Sequence, residues 1–216
     1  MKSTHVMTAL GKRVVTGVLL LSALTAPMAQ AEFINTDFSA GYSGWEAEVT
    51  KYDYNTFSNS TVSGDVFGDY PDNFDISGTA VTLSTSWDQS ADYWNIAMFQ
   101  NAQLSPLMMG QSLWLSLSVS SFLSDPLSDF FYVQLRDLST DDIFDVSSGR
   151  AFNLTAWAGR AVSFEFGLID NDFLPEDSLS VSDIRFQVEA ASVSEPSALF
   201  LAGLGGLFLS WRRARR

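Results

Sequence analysis

The sequence has 216 residues, a net charge of −13 at pH 7, no cysteine and one histidine, His5. Without these side chains, the chain beyond residue 5 has no disulfides, no Ser-His or Cys-His catalysis, and no ordinary zinc or copper site. The charge excludes nucleic acid as a partner, because phosphate groups repel a polyanion.

Residues 1–31 have the pattern of a secretory signal peptide. Three basic residues come first, residues 14–26 form an apolar stretch, and the small-x-small sequence Ala29-Gln30-Ala31 follows. The pattern predicts export across the inner membrane, with signal peptidase as a partner and Glu32 as the mature N-terminus.

Residues 32–191 are predicted to form one domain, since about 160 residues suffice for one hydrophobic core and are too few for two. Between residues 32 and 193 there are 24 acidic and five basic residues, a net charge of −19. Such a charge either holds divalent cations or simply keeps the protein soluble in a dense extracellular matrix. Both alternatives stand at this stage.

Alternating apolar and polar side chains predict that this domain is all-β. The alternation occurs in five stretches, over residues 45–50, 81–84, 112–120, 131–136 and 162–168. A further strand over 179–188 changes phase at Ser182-Asp183, which predicts a β-bulge or a strand break. Residues 52–78 are predicted to be a long connector, either functional or poorly ordered. Many short strands with turn signals favour a two-sheet antiparallel sandwich.

The two ends of the domain resemble a known family. The sequence FINTDF at 33–38, followed by Gly41 and Ser43-Gly44-Trp45, resembles the opening of galactose-binding-like jelly rolls and carbohydrate-binding modules. The stretch Phe152–Arg160 and the strands VSFEFGLIDND and SLSVSDIRF after it resemble the closing part of the same fold. The resemblance implies a two-sheet antiparallel jelly-roll sandwich.

The same resemblance implies where a structural calcium ion would bind, between the first strand and the last. Asp37 and Asp183 stand at two of the ligand positions, whereas Ser39 and Ser182 replace the acidic residues at two others. We therefore expect no metal or other cofactor beyond a weak calcium site at Asp37 and Asp183. A second acidic loop is interpreted as a solvated turn; it contains Asp170, Asp172, Glu176 and Asp177.

Carboxylates are the remaining groups with catalytic potential. Glycoside hydrolysis needs only two of them, about 5–10 Å apart, but none stands in a recognisable local signature. The acidic residues on the polar sides of strands, among them Glu48 and Glu165, are interpreted as solvated. The domain is therefore predicted not to be an enzyme, with a carboxylate-dependent glycosidase as the less favoured alternative.

Trp114, Tyr132 and Arg136 are the predicted glycan-binding residues. Trp114 lies on the serine-rich side of its strand, and Tyr132 and Arg136 share the polar side of the next one. If the two strands pair as a hairpin through residues 123–129, Arg136 lies opposite Trp114. A rigid ring beside a forked donor can stack on a sugar and bind its hydroxyl groups. The alternative is that Trp114 is covered and belongs to the core.

Residues 192–216 form a tail of three parts. Ser194-Glu195-Pro196 leads into the apolar residues 198–211, and a basic cluster ends the chain, formed by Arg212, Arg213, Arg215 and Arg216. As a helix, the apolar part spans roughly 21 Å of a hydrocarbon core roughly 30 Å thick. The tail resembles the PEP-CTERM sorting signal of Gram-negative bacteria, with Ser194 in place of the first proline. An ordinary C-terminal membrane anchor is the alternative.

The resemblance of the tail implies transient anchoring by a short transmembrane helix, processing by an exosortase-type enzyme, and a final place at the cell surface or in the extracellular matrix of a biofilm. Both resemblances together predict a non-catalytic protein associated with exopolysaccharide, with glycan binding at the three residues named above. A purely structural matrix protein without a ligand is the nearest alternative.

Overall fold

The computed structural model describes residues 33–174 and 176–190. In this part of the chain, all regular structure is β-strand except for one turn of 3₁₀-helix, Thr155–Trp157. No helix among these residues is long and apolar enough to cross a membrane. The predicted signal-peptide helix and the predicted C-terminal membrane helix lie outside the described residues.

Twelve strands follow one another along the described chain. They are β1 (Glu46–Asp53), β2 (Ser58–Gly64), β3 (Phe74–Ser77), β4 (Ala80–Ser84), β5 (Ser86–Trp87), β6 (Ala91–Gln103), β7 (Gln111–Phe122), β8 (Phe130–Asp137), β9 (Ile143–Asp145), β10 (Ala151–Asn153), β11 (Ala161–Ile169) and β12 (Ser178–Ala190). Seven strands form the larger antiparallel sheet, in the order β2-β1-β6-β11-β8-β9 with β5 beside β6. The other five form the smaller antiparallel sheet, in the order β10-β7-β12-β4-β3. The predicted all-β domain with two antiparallel sheets is confirmed.

Successive strands or strand pairs lie alternately in the two sheets. The chain begins with β1 and β2 in the larger sheet, passes to β3 and β4 in the smaller one, and returns with β5 and β6. It then crosses between the sheets before β7, β8, β10, β11 and β12. Spatial neighbours are therefore often distant in sequence, and the outward face of each sheet combines residues from both halves of the domain.

An aromatic cluster fills the space between the sheets near the start of the domain. Trp45 is buried and its ring centroid lies 5.4 Å from that of Phe38, 6.2 Å from Phe164 and 5.6 Å from Phe166. Tilted and edge-to-face contacts of this kind add to the stabilisation that comes from burying the rings. The smaller sheet contributes the buried side chains of Val81, Leu83, Leu115, Leu179 and Val181.

The segment before β1 is held against the sandwich by two amide side chains. Asn35 adopts a φ of +51°, and its Nδ2 donates hydrogen bonds to the carbonyl oxygens of Gly41 and Ser43. Gln100 of β6 is buried, accepts a hydrogen bond from the Ile34 amide and donates one to the Ile34 carbonyl oxygen. These hydrogen bonds give partners to backbone groups that would otherwise be removed from water with no partner.

The predicted strands agree with the structure except in two places. The five alternating stretches correspond to β1, β4, β7, β8 and β11, and the phase change in β12 is confirmed as a register shift between Ser182 and Arg185. The predicted connector over 52–78 is wrong, because β2 and β3 lie within it. The central strand β6 has no counterpart among the predictions. Ile96, Ala97 and Met98 in its middle are buried on both faces, so no alternation marks them.

Candidate functional site

The outward face of the larger sheet carries a cleft of about 410 Å³. Strands β1, β6, β11 and β8 lie side by side beneath it, and their pairing aligns the outward side chains in rows. One row consists of Glu48, Ala97, Gly167 and Tyr132. The next rows consist of Phe99, Glu165 and Gln134, and of Asn101, Ser163 and Arg136. Aromatic, charged and hydroxyl side chains from four strands therefore share one surface.

Tyr132 forms an aromatic part of the cleft. Its ring lies against Gly167 of β11, where an added Cβ would come within 2.5 Å of Tyr132 Cζ and of the hydroxyl oxygen. Glycine at this position therefore allows the ring to approach the strand closely. Burial, and then the nearby Glu165 and Glu48 carboxylates, raises the pKa of Tyr132 to about 12. The hydroxyl consequently stays protonated at neutral pH and can donate a hydrogen bond.

Glu165 connects two donors on the neighbouring strand β8. Arg136 contacts Glu165 Oε1 through Nε at 2.9 Å and through Nη2 at 2.6 Å. Gln134 Nε2 donates to Glu165 Oε2 at 3.0 Å. The interpretation of Glu165 as a solvated acid is wrong, because the residue is only 8% exposed. Both carboxylate oxygens of Glu165 accept hydrogen bonds, and this fixes the Arg136 guanidinium on the sheet. The guanidinium keeps further N–H groups that can donate to a ligand.

Ser163 places at the cleft a buried hydroxyl that makes no hydrogen bond to the described residues. It lies between Asn101 and Arg136 in its row, lines the cleft and is 1% exposed. Its Oγ is one of the buried polar atoms in the described part of the chain that make no hydrogen bond. A buried polar group left without a partner costs about 1–3 kcal/mol. A ligand hydroxyl that reached Ser163 would remove that cost.

Trp114 does not lie with the other two predicted glycan-binding residues. The predicted hairpin of β7 and β8 is wrong, because β7 lies in the smaller sheet between β10 and β12. Trp114 is half-buried there, and its register partners are Asn153 and Gln187. Tyr132 and Arg136 share one face of β8 and line the same cleft.

The two calcium candidates from the family resemblance are exposed and bonded to neighbouring serines. Asp37 Oδ1 accepts hydrogen bonds from Ser39, at 2.8 Å from Oγ and 3.1 Å from the amide, and these lower the pKa of Asp37. Asp183 lies at the bulge of β12 and accepts long hydrogen bonds, both 3.5 Å, from Ser118 and Ser182. Within the described ranges, neither aspartate belongs to a group of three acidic side chains close enough to share an ion.

Three buried aspartates meet elsewhere, where β8 begins and β11 ends. Asp129 precedes β8, Asp170 follows β11 and Asp177 precedes β12; one carboxylate oxygen from each lies within 4.8 Å of the others. Burial, with Asp177 and Asp129 close by, raises the pKa of Asp170 to about 6, and burial also raises the pKa of Asp177. The interpretation of this acidic loop as a solvated turn is therefore wrong for Asp170 and Asp177. We call the three residues the aspartate cluster.

Comparison with known proteins identifies the tail. Residues 192–216 match the PEP-CTERM protein-sorting motif, which confirms the resemblance drawn from Ser194, Glu195, Pro196 and the terminal arginines. The match implies export and processing of a membrane-anchored C-terminus by an exosortase. No curated protein sequence matches the chain.

One similar solved structure is that of TmCBM61 in complex with β-1,4-galactotriose. It is 13% identical to this chain, with a TM-score of 0.38, and the match covers 74% of this chain and 99% of that one. A superposition at this level assigns neither a fold nor a ligand to the present chain.

Proposed function

We propose that the protein is an exported, non-catalytic jelly-roll protein of the cell surface or extracellular matrix, and that it binds a neutral polysaccharide in the cleft of the larger sheet. The observation that carries the proposal is the meeting of Tyr132, Arg136 and Ser163 on one sheet face. The ring offers an apolar surface for a sugar, while the Arg136 guanidinium and the Tyr132 hydroxyl offer partners for sugar hydroxyl groups. The regular crossing of the chain between the two sheets supports the jelly-roll topology.

The charge of the domain favours a neutral glycan over an acidic one. Residues 32–193 carry a net charge of −19, and Arg136, the only cationic side chain among the described residues that line the cleft, is already paired with Glu165. Glu48 adds a second carboxylate to the same surface. An acidic polysaccharide would be repelled by this field, whereas a neutral one is bound through stacking and hydrogen bonds that the field affects little.

The arrangement of acids favours binding without cleavage. A glycosidase needs one carboxylic acid to protonate the leaving oxygen and a second carboxylate on the other side of the bond. Glu165 holds Arg136 and Gln134 with both oxygens, so it is occupied as an acceptor and poorly placed to transfer a proton. Glu48 then has no free carboxylate partner within the cleft lining.

The sorting tail supports the proposed route to the surface. Signal peptidase would remove residues 1–31, and the arginine cluster would remain on the cytoplasmic side of the membrane while the domain faces outward. An exosortase-type enzyme would then cut near Glu195-Pro196 and release the domain to the surface or matrix, where exopolysaccharide is the expected partner.

The binding proposal is tested by affinity gel electrophoresis of the purified full chain in gels that contain neutral or acidic polysaccharides. We expect retardation by at least one neutral polysaccharide, weakened at least tenfold in Tyr132→Ala and Arg136→Ala. Trp87→Ala is the matched control, because Trp87 is exposed and lies outside the cleft lining. Trp114→Ala should also leave binding unchanged.

Three results would overturn parts of the proposal. Failure of every polysaccharide to retard the chain would favour a purely structural matrix protein. Release of reducing ends from a retarding polysaccharide would show a glycosidase. Loss of retardation in Trp114→Ala alone would move the binding surface to the smaller sheet.

A further inference from the structure

We propose that the aspartate cluster of Asp129, Asp170 and Asp177 binds one calcium ion that ties two loops of the domain together. This site differs from the one that the family resemblance implies, because it involves neither Asp37 nor Asp183. It also does not depend on glycan binding.

The spacing of the three carboxylates fits one calcium ion. Oxygen ligands surround calcium at about 2.3–2.6 Å, so two of them on opposite sides of the ion are about 5 Å apart. One oxygen from each aspartate already lies within 4.8 Å of the others. The three side chains can therefore enter one coordination sphere with little movement of the loops that carry them.

An unpaired buried oxygen points to a ligand at this cluster. Asp177 is 1% exposed; its Oδ1 accepts a hydrogen bond from the Ser124 amide at 2.6 Å, while its Oδ2 is buried and has no hydrogen-bond partner among the described residues. Asp129 and Asp170 are also buried, and each accepts hydrogen bonds from backbone amides, including those of Asn171 and Phe173. Buried polar oxygens are normally satisfied, so Asp177 Oδ2 requires an explanation.

No positively charged side chain among the described residues forms an ion pair with the cluster. The ion pairs in the described part of the chain involve Arg136 and Arg160, and neither contacts an aspartate of the cluster. Like-charged carboxylates that are buried together destabilise the ionised form, and either protons or a bound cation must neutralise them. At neutral pH a cation is the more available of the two.

The donor set selects a hard divalent cation. Carboxylate oxygens are ligands for calcium or magnesium rather than for zinc or copper. Magnesium binds at about 2.0–2.1 Å and keeps several of its waters, which a cluster with all three side chains buried accommodates poorly. Calcium tolerates irregular geometry and six to eight oxygen ligands. The geometry therefore favours calcium.

The ion would join two loops that the sequence separates. Asp129 ends the loop between β7 and β8, whereas Asp170 and Asp177 bound the loop between β11 and β12. Asn171 already bridges the same loops, because its Nδ2 donates to the Ser128 carbonyl oxygen at 2.7 Å. A shared cation would add a stronger link and would hold the beginning of β8, the strand that carries Tyr132 and Arg136.

The test is a calcium titration of the thermal midpoint of the purified full chain, stripped with EDTA and followed by circular dichroism near neutral pH. Concentrations from about 10 μM to about 10 mM span the affinities of calcium sensors and extracellular modules. We expect a rise of about 5–10 °C at a calcium concentration 100 times the Kd, and one bound calcium per chain by calorimetry. Magnesium should give less than half of that rise.

Asp177→Asn separates metal binding from a structural role. The amide oxygen can still accept from Ser124, so the variant changes the charge and little else. Without calcium it should melt at the same temperature as the native chain or higher, because one repulsive charge is gone; with calcium it should lose most of the rise. Asp183→Asn is the control and should keep the full rise. Asp170→Asn serves as a second variant should Asp177→Asn not fold.

Absence of a calcium-dependent rise in the native chain, or an equal rise in the folded cluster variant, would overturn the site. An equal response to magnesium would overturn the choice of calcium.

Discussion

Replacing Gly167 with alanine tests whether the Tyr132 ring rests on β11. The added Cβ would lie 2.5 Å from Tyr132 Cζ, whereas carbon atoms in contact are about 3.5–4.0 Å apart. The ring must therefore move by roughly 1–1.5 Å. The φ of Gly167 lies outside the left-handed region, so the backbone itself accepts alanine. Any effect of the substitution should come from the displaced ring.

Adding a methyl group to a packed site usually costs about 1–3 kcal/mol. We expect the free energy of unfolding of Gly167→Ala to fall by an amount near the lower end of this range, because the Tyr132 side chain is half-buried and can rotate toward solvent. Glycan affinity should fall more, at least tenfold, because the stacking surface is no longer in place. Urea denaturation measures the first effect, and affinity electrophoresis measures the second.

Gly68→Ala is the matched control. Apart from its two chain neighbours, no described residue has an atom within 4 Å of a Cβ added there, and its φ is also outside the left-handed region. We expect this variant to be neutral or stabilised by up to about 1 kcal/mol. Equal stability of the two variants would refute the contact between Tyr132 and Gly167. A destabilised Gly167→Ala that still binds glycan would refute the role of Tyr132 as the stacking surface.

Three further predictions concern the core, an acidic turn and the tail. Trp45→Ala should lower the free energy of unfolding by about 3–5 kcal/mol, whereas the exposed Trp87→Ala should change it by less than about 0.5 kcal/mol; urea denaturation of both checks this. Hydrogen bonds from the Ser139 hydroxyl and amide lower the pKa of Asp137 from 3.8 to about 2, so its contribution to stability is present above pH 3.8 and is lost as the pH falls toward 2. In Asp137→Asn the thermal midpoint should therefore fall less between pH 3.8 and about pH 2 than it does in the native chain. Mass spectrometry of surface material from the native host should find no peptides that extend through Leu209, since such peptides would show an uncut tail.

The sequence predicted which face of a strand each side chain occupies, and this follows from local geometry. Successive residues of a strand point to opposite sides, so the alternation in β8 placed Tyr132 and Arg136 together before any partner strand was known. The phase change in β12 was predicted for the same reason. Alternation failed for β6, because its middle residues are covered on both sides of the sheet and carry apolar side chains in succession.

Which strands are neighbours could not be predicted from alternation. The loop after β7 looks like a hairpin connection, but it carries the chain from the smaller sheet to the larger one and so separates Trp114 from Arg136. The aspartate cluster was missed for a related reason. Asp170 and Asp177 are six residues of loop apart and meet Asp129, some 40 residues earlier, only through the fold. The acidic composition of the loop that contains Asp170 and Asp177 is typical of a solvated turn, and no local sequence pattern indicates that these two side chains are buried.

The length and direction of β12 separate the aspartate cluster from the point where the sorting tail begins. The strand has 13 residues, so it spans about 40 Å at roughly 3.3 Å per residue. Asp177 precedes its first residue, and the Phe186 ring, in the second half of the strand, stacks on Phe33 with centroids 4.5 Å apart. Phe33, the first described residue, therefore lies beside the second half of the last strand, and the sorting motif begins two residues after Ala190. A domain held by its uncut tail would therefore carry the aspartate cluster at the end of β12 farthest from the tail, about 40 Å along the strand from Ala190.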